Sequence, residues 1–160
     1  MPADDQAPNQ SHASTVRIGR DTPRPILLYD GICGLCNRFV QFILRRDSKG
    51  TFLFAPLQSA LAARILARHG ANAGDLDAAY VVLDHQLPGE RLLSRSDAAR
   101  FVLSQIGGGW AGLAALSRIL PRAAREAGYR LVARNRYRIF GRYDECMLPS
   151  PEARTRFLDL

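Results

Sequence analysis

The most informative stretch of the chain is residues 26–36, which read ILLYDGICGLC. Its first four residues, ILLY, form a short continuous apolar run, which is typical of a buried β-strand. Asp30 and Gly31 end this run, and the apolar positions between Cys36 and Arg46 then recur on one helical face. The stretch therefore predicts a strand, a tight turn and a helix that begins around Cys33 and carries both cysteines in its first turn.

The two cysteines are spaced as Cys33-Gly34-Leu35-Cys36. A sulfur at a helix N-terminus faces unpaired backbone N–H groups and the positive end of the helix dipole, and both stabilise a thiolate. The spacing also lets the second sulfur attack a mixed disulfide formed on the first. Cys33 is nearer the helix start and is expected to be the more exposed, so it is predicted to be the attacking thiolate and Cys36 the resolving thiol.

The same spacing has other uses in proteins. A c-type haem site needs histidine directly after the second cysteine, and Asn37 stands there, which excludes this reading. A structural zinc site needs four ligands, and Cys146 with His12, His69 or His85 fits no usual spacing. A static disulfide or a pair of idle buried thiols stays open as an alternative. The interpretation we favour is redox chemistry that requires no organic cofactor and no metal.

Asp30 lies three residues before Cys33, at the carboxyl end of the predicted strand, where the ligand sites of open α/β sheets collect. A carboxylate there is a candidate general base for the proton of Cys36. An Asp-Gly turn that caps the following helix explains Asp30 equally well, so both interpretations stay open.

Four further residues are candidates for substrate binding. Gly31 and Gly34 are expected to allow the tight turn and the close approach of a partner backbone. Leu35, between the sulfurs, is expected either to contact substrate or to cover the core. Gln58 follows the second predicted strand and is a candidate for the surface around the cysteine pair that contacts substrate. The adjacent Ser59 is better explained as a helix cap.

The rest of the chain completes an α/β pattern. Further strands are predicted at 51–55, 79–84 and 91–94, with helices at 59–69 and 96–106, the latter opened by a Ser96-Asp97 cap. The order β-α-β-α-β-β-α implies a parallel strand pair with a right-handed crossover, and Pro88-Gly89 adds an antiparallel pair. The predicted fold is a four-stranded mixed sheet flanked by helices.

Three segments are predicted along the chain: a flexible tail over 1–24, the α/β core over 25–106 and an arginine-rich helical extension over 107–160 packed on the core. Gly107-Gly108-Gly109 is the expected joint before the extension. Helices are expected at 110–120 and 121–134, packed as a hairpin that Trp110 joins to the sheet, with a last short helix at 150–158. Cys146, beside two acids, is expected to be a quiet thiol.

Several strings together resemble the DCC family of thiol–disulfide oxidoreductases: DGICGLC at 30–36, FAPLQS at 54–59, SDA at 96–98 and NRYRIFGR at 135–142. The resemblance covers about residues 26 to 150 and implies a thioredoxin-like fold with Cys33 and Cys36 as the redox centre, but it implies little about substrate. Thioredoxins place a cis-proline before the strand that faces the active site, where it orients bound peptide. Ala78 and Ala79 stand at that position here, so substrate docking is expected to differ.

Composition restricts the class of protein. The chain has 160 residues, of which 47% are hydrophobic and 23% charged, as in a soluble globular protein of one domain, or of one domain plus a short appendage. No uncharged stretch reaches the roughly 18–20 apolar residues of a membrane span. The first 25 residues lack the apolar core of a secretory signal, so a cytoplasmic location is expected. The expected partners are a disulfide-containing protein or a small thiol as substrate, and an external thiol reductant.

The net charge of +7 is concentrated in one segment. Residues 118–142 carry eight arginines and one acid, Glu126, and so account for the whole excess. This pattern gives an alternative function, an interaction module whose segment 118–142 binds an acidic partner, an anionic lipid or nucleic acid. A solvated face of an arginine-rich protein explains the same pattern, and no zinc finger or recognition-helix motif accompanies it.

Overall fold

The computed structural model of the protein describes residues 23–72, 74–75, 78–144 and 149–159. The elements in these ranges are β1 (Ile26–Tyr29), α1 (Gly34–Arg46), β2 (Leu53–Pro56), α2 (Ala60–Arg68), β3 (Tyr80–Leu83), β4 (Arg91–Ser94), α3 (Arg95–Ile106), α4 (Gly108–Leu116), α5 (Arg122–Phe140) and a 3₁₀ turn (Arg154–Arg156). The predicted order β-α-β-α-β-β-α is therefore confirmed. Most of the predicted tail, residues 1–22, and Cys146 lie outside the described residues, and the division into three segments stays a prediction.

The four strands form one mixed sheet in the order β2-β1-β3-β4. Strand β1 pairs parallel with β2 and antiparallel with β3, and β3 pairs antiparallel with β4. The apolar run of β1 suits its central place, because a strand with helices over both faces has no side that needs to be polar. The sheet and its flanking helices give the thioredoxin-like α/β fold that the sequence predicts.

The side chains of β1 alternate between two layers of core. Ile26 and Leu28 pack with α2 and its neighbours on one face, whereas Leu27 and Tyr29 pack with α1 and α3 on the other. Helices cover both faces of the sheet, so the turn after β1 lies at the carboxyl end of this strand, between the two layers of core. The first turn of α1, with the two cysteines, is held there.

Two predictions about helix caps have different outcomes. Ser59 caps α2, and its hydroxyl accepts a hydrogen bond from the Ala62 N–H at 3.1 Å. The predicted cap of α3 at Ser96-Asp97 is wrong. Ser94 is the N-cap residue, and the side chains of Ser96 and Asp97 instead contact Glu126 and Arg125 of α5. The side chains of Ser96 and Asp97 therefore join α3 to α5 instead of capping α3.

The C-terminal helices also differ from expectation. Helix α4 packs mainly on α3, and α5 packs on α1 and α3, so the predicted hairpin of the two helices is wrong. Trp110 is not a core residue of the sheet: it is 37% exposed, and its ring meets the Phe42 ring of α1 edge-on at 4.9 Å. Helix α5 continues six residues beyond the predicted end at Arg134 and stops at Gly141, which adopts φ +78°.

None of the helices in the described ranges has both the length and the hydropathy needed to cross a membrane.

Candidate active site

Cys33 is the N-cap residue of α1, and Cys36 lies one turn further on. The Cys33 Sγ accepts a hydrogen bond from the Cys36 backbone N–H at 3.5 Å, in the position where a serine or aspartate oxygen usually caps a helix. The sulfur therefore faces the unpaired amides of the first turn, whose partial positive charge favours a thiolate over a thiol. The local sequence produces this placement because the apolar run of β1 ends at Asp30, three residues earlier.

The two thiols have opposite pKa shifts. The pKa of Cys33 falls to about 6, chiefly because the Cys36 thiol donates a hydrogen bond to it, while burial opposes the shift and the Cys36 amide and the charge of Arg136 add to it. The pKa of Cys36 is raised, first by the same hydrogen bond and then by burial and the negative charges of Cys33 and Asp30. At neutral pH the pair is therefore a Cys33 thiolate held by a Cys36 thiol.

Cys33 is not the more exposed cysteine, and that expectation is wrong. The residue is 0% exposed, whereas Cys36 is partly exposed. Residues 140–143, the last residue of α5 and the three that follow it, lie over Cys33, and we call them the strap. Gly34 N–H donates to the Gly141 carbonyl at 3.1 Å, and Tyr143 N–H donates to the Ile32 carbonyl at 2.8 Å, so the strap runs over the start of α1.

Gly34 permits this cover. A Cβ atom at residue 34 would lie 2.1 Å from the carbonyl oxygen of Phe140, a distance that a side chain cannot occupy. The close approach of a backbone that the sequence predicts at Gly34 is therefore present, but the backbone is the chain's own. Access of a substrate sulfur to Cys33 requires the strap to move.

Gly34→Ala is expected to displace the strap. The helix itself tolerates alanine, but the clash with Phe140 breaks the two strap hydrogen bonds and costs about 2 kcal/mol of unfolding free energy. Alkylation of Cys33 by iodoacetamide, followed by mass spectrometry at a pH where its thiol is ionised, should become faster than in the parent protein. The matched control is Gly128→Ala in α5, where a Cβ meets nothing within 4 Å. Equal alkylation rates in all three proteins would contradict the strap as the barrier.

Asp30 is 1% exposed and lies at the centre of a polar network. Its Oδ1 accepts hydrogen bonds from the Ile32 N–H at 3.2 Å and from Gln58 Nε2 at 2.9 Å. Its Oδ2 accepts from Arg136 Nη2 at 3.3 Å and from the Tyr137 hydroxyl in a short hydrogen bond. The Asp-Gly turn predicted from the sequence is present, and the ion pair with Arg136 adds a second role that the turn alone does not explain.

Gly31 and Gln58 take part in hydrogen bonds that hold the turn between β1 and α1. Gln58 Oε1 accepts from the Gly31 N–H at 3.1 Å, and Asn37 Nδ2 donates to the carbonyls of Gly31 at 2.7 Å and of Cys33 at 3.0 Å. Both backbone polar groups of Gly31 are therefore engaged within the protein. Contact of Gly31 or Gln58 with substrate stays a prediction.

Sequence reasoning missed Arg136 and Tyr137 as site residues. Arg136 is 3% exposed and reaches Asp30 from a position 106 residues away along the chain. By sequence pattern it is one arginine of the charged segment 118–142. The signal that was available is spacing: Tyr129, Ala133 and Arg136 recur at i, i+4 and i+7, which is one face of a helix.

A small cavity of about 60 Å³ opens beside Cys36. Leu35 lines it together with Ala78, Ala79 and Tyr129. The Ala79 N–H donates to the Tyr129 hydroxyl at 2.9 Å, and the Ala79 carbonyl accepts from the Arg95 N–H at 2.9 Å. The backbone at the position where thioredoxins carry their cis-proline is thus already paired inside this protein.

Of the three histidines considered as zinc ligands, His12 lies outside the described residues, and His69 and His85 share another partner. His69 Nε2 lies 2.9 Å from one oxygen of Glu90, and His85 Nδ1 lies 2.7 Å from the other. Among the residues that the structure describes, no three histidine, cysteine or carboxylate side chains are grouped so as to hold a metal ion.

Comparisons with known proteins agree with this geometry. The family model described as DCC1-like thiol-disulfide oxidoreductase matches residues 27–142, which include the cysteine pair, Asp30 and Arg136. The chain is 38% identical over 136 residues to the Bacillus subtilis protein named "Uncharacterized protein YuxK", covering 85% of this chain and 95% of that protein. It is 34% identical over 125 residues to a chloroplastic DCC family protein of Arabidopsis thaliana, covering 78% and 70%. No solved structure gives a significant match. With a match over most of its described length and two relatives of this similarity, the chain belongs to the DCC1-like family of thiol–disulfide oxidoreductases.

Proposed function

We propose that the protein catalyses thiol–disulfide exchange with Cys33 as the attacking thiolate and Cys36 as the resolving thiol, acting as a reductase of disulfides. The observation that carries this proposal is the pairing of the two sulfurs at the N-terminus of α1. There the Cys36 amide and thiol both donate hydrogen bonds to Cys33 and lower its pKa to about 6. Exchange needs one ionised and one protonated sulfur, and this pair provides both near neutral pH.

The reaction proceeds in two displacements. The Cys33 thiolate attacks one sulfur of a substrate disulfide, forms a mixed disulfide and releases the other substrate sulfur as a thiolate. Cys36 then loses its proton and attacks Cys33 Sγ, which breaks the mixed disulfide and releases the second substrate thiolate. Two electrons pass from the pair to the substrate, and an external thiol reductant must reduce the Cys33–Cys36 disulfide again. The exchange uses no cofactor.

Asp30 is the proposed acceptor for the Cys36 proton. Its negative charge acts on Cys36 and raises the pKa of that thiol, so proton transfer toward Asp30 relieves an unfavourable pair of charges as Cys36 ionises. Arg136 and Tyr137 hold Oδ2 of the carboxylate, and Gln58 holds Oδ1. These contacts fix Asp30 in place during the reaction.

The surroundings of Cys36 favour a small disulfide over an extended peptide as substrate. A peptide that pairs with the backbone of Ala79 would have to displace both the Tyr129 hydroxyl and the Arg95 amide. A small disulfide does not need to pair with the Ala79 backbone. It reaches Cys33 once the strap has moved. Reduction of cystine or glutathione disulfide should therefore be faster than reduction of a protein disulfide such as that of insulin.

The proposal is tested by redox titration. The purified protein is equilibrated over a series of glutathione ratios, free thiols are trapped, and the Cys33 and Cys36 peptides are weighed by mass spectrometry. A mutual disulfide should form with the two-electron dependence that a single dithiol pair requires. If the two cysteines form no mutual disulfide at any glutathione ratio, the proposed exchange chemistry is wrong.

A further inference from the structure

The end of α4 and the residues that lead into α5 expose a group of large apolar side chains. We call residues 113–122 the tip. Leu113, Leu116, Ile119 and Leu120 are between 49% and 79% exposed, although single exposed apolar residues are the norm on a protein surface. A group of this kind, unlike a single exposed side chain, is a candidate surface for an apolar contact.

The local geometry places three of these side chains on one side. Helical turns continue past α4, since the amides of Ser117 and Ile119 bond to the carbonyls of Leu113 and Leu116 at 2.9 and 3.0 Å. Leu113, Leu116 and Ile119 recur every third residue and so are neighbours along one side of these turns. Ala114, on another side of α4, is buried at 3% exposure. The apolar side of the tip is thus not the side that packs on the core.

Positive charge lies within the tip and continues along α5. Arg118 and Arg122 within the tip are exposed, and Arg130, Arg134 and Arg138 of α5 are exposed as well. The carboxylate of Asp97 lies 3.5 Å from Arg125 and 3.6 Å from Arg122. The tip combines apolar side chains with a strong cationic field.

This combination favours one occupant over three others. A second copy of the chain would bring two sets of arginines together, which like-charge repulsion opposes. Nucleic acid explains the arginines but not the leucines. The first 22 residues contain only Met1, Val16 and Ile18 as large apolar side chains, too few to cover the tip. An anionic phospholipid surface matches both features, because apolar side chains enter the acyl boundary while guanidinium groups meet phosphates.

We propose that the tip docks the protein on the surface of membranes that contain anionic phospholipid. Helix α5 has 19 residues and so extends roughly 28 Å from the tip to the strap. The apolar side chains of such a contact enter only about 5–10 Å of the interface. We therefore expect docking through the tip to leave the cysteine pair accessible, and the interaction is independent of the thiol chemistry proposed above.

The test is sedimentation of the full chain with vesicles of phosphatidylcholine alone or mixed with phosphatidylglycerol, at low and at raised salt. Binding is expected only to the anionic vesicles. The double variant Leu116→Ser, Ile119→Ser should weaken binding by at least about tenfold, since both side chains lose their apolar contact. Arg118→Gln with Arg122→Gln should weaken it by about fivefold for each arginine at low salt.

Matched controls come from the turn before β4 and from β4 itself, both outside the tip. Leu87 is an exposed leucine in the turn before β4, and Arg91 is an exposed arginine of β4. Leu87→Ser and Arg91→Gln should bind vesicles within about twofold of the parent protein. Redox titration of Cys33 and Cys36 should be unchanged in every one of these variants, which separates this proposal from the proposed function.

Three outcomes would overturn the proposal. The first is no binding to anionic vesicles at low salt. The second is binding that the serine double variant retains in full, because a polyanion contact through arginine alone would then explain it, as heparin or DNA binding would show. The third is a dimer of the parent protein that the serine double variant dissociates, since a second copy would then be the occupant of the tip.

Discussion

Cys33→Ser is expected to reduce disulfide exchange by at least about a thousandfold, because a hydroxyl at this position is not ionised at neutral pH and is a poor nucleophile toward sulfur. The loss should be equally large with small and with protein disulfides, since the substitution removes the attacking atom. The measurement is the rate of reduction of glutathione disulfide and of insulin by the reduced protein.

Cys36→Ser should behave differently. The Cys36 thiol is the resolving group, so its removal leaves the first displacement intact and blocks the second. Mass spectrometry after one turnover should then show a substrate thiol attached to Cys33. The matched control is Cys146→Ser, which removes the third cysteine and should leave the exchange rate unchanged.

The two cysteine variants together show whether the lower pKa or the greater exposure determines which cysteine attacks the substrate. Cys36 is the partly exposed sulfur, and Cys33, which carries the lowered pKa, lies beneath the strap. If exposure determined the attacking group, Cys36→Ser would abolish the reaction and Cys33→Ser would trap the mixed disulfide on Cys36. That reversed pattern would contradict the proposed order of attack, whereas the pattern described above supports it and implies that the strap opens during the reaction.

The order of elements and the location of the cysteine pair were predictable because they depend on short-range patterns. The apolar run of β1, the turn at Asp30 and the helical face of α1 all lie within about twenty residues, and each is set by the backbone preferences of its own residues. The placement of Cys33 at the N-cap follows from these alone. Local sequence thus predicted where the two thiols lie, at the N-terminus of α1.

The exposure of Cys33 was not predictable in this way. It depends on the strap, which comes from a segment more than 100 residues later and reaches Gly34 only because α5 packs along α1. The same separation concealed the ion pair of Asp30 and Arg136. Eight arginines in one segment are indistinguishable by composition, and only the docked helix shows that Arg136 turns inward while Arg138 remains exposed. Tertiary packing, rather than propensity, determines which arginine serves the site.

Arg136→Met is expected to have the largest effect on stability of any single substitution at the site outside the cysteines. The substitution removes the buried cation that pairs with Asp30. The Asp30 carboxylate, which is 1% exposed in the parent protein, then keeps its hydrogen bonds from Tyr137, Gln58 and the Ile32 amide. Breaking a buried ion pair costs about 3–5 kcal/mol, and the remaining hydrogen bonds place this case near 3 kcal/mol. Urea unfolding should show this loss, which corresponds to a fall of about 6–12 °C in Tm.

A purely structural role for Arg136 would change stability alone, so the decisive readout is the pH profile of Cys33. In the parent protein the alkylation rate should be half-maximal near pH 6 and fall below it, because the reactive thiolate is protonated as the pH drops through the pKa of about 6. Loss of the positive charge of Arg136 removes one of the contributions that lower this pKa, so the midpoint should move to higher pH.

Arg136→Lys and Arg138→Met complete the test. The lysine variant keeps a cation near the sulfurs and should return the midpoint toward that of the parent protein, although it cannot reproduce the geometry of a guanidinium group. Arg138 lies two residues away on the exposed side of α5, and its loss should change neither stability nor midpoint measurably.

A midpoint that stays near pH 6 in Arg136→Met would limit Arg136 to holding Asp30 in place. A midpoint that shifts in Arg136→Met but not in Arg138→Met would show that the thiolate depends on the buried cation, because the two substitutions remove the same charge from the same helix and differ in burial.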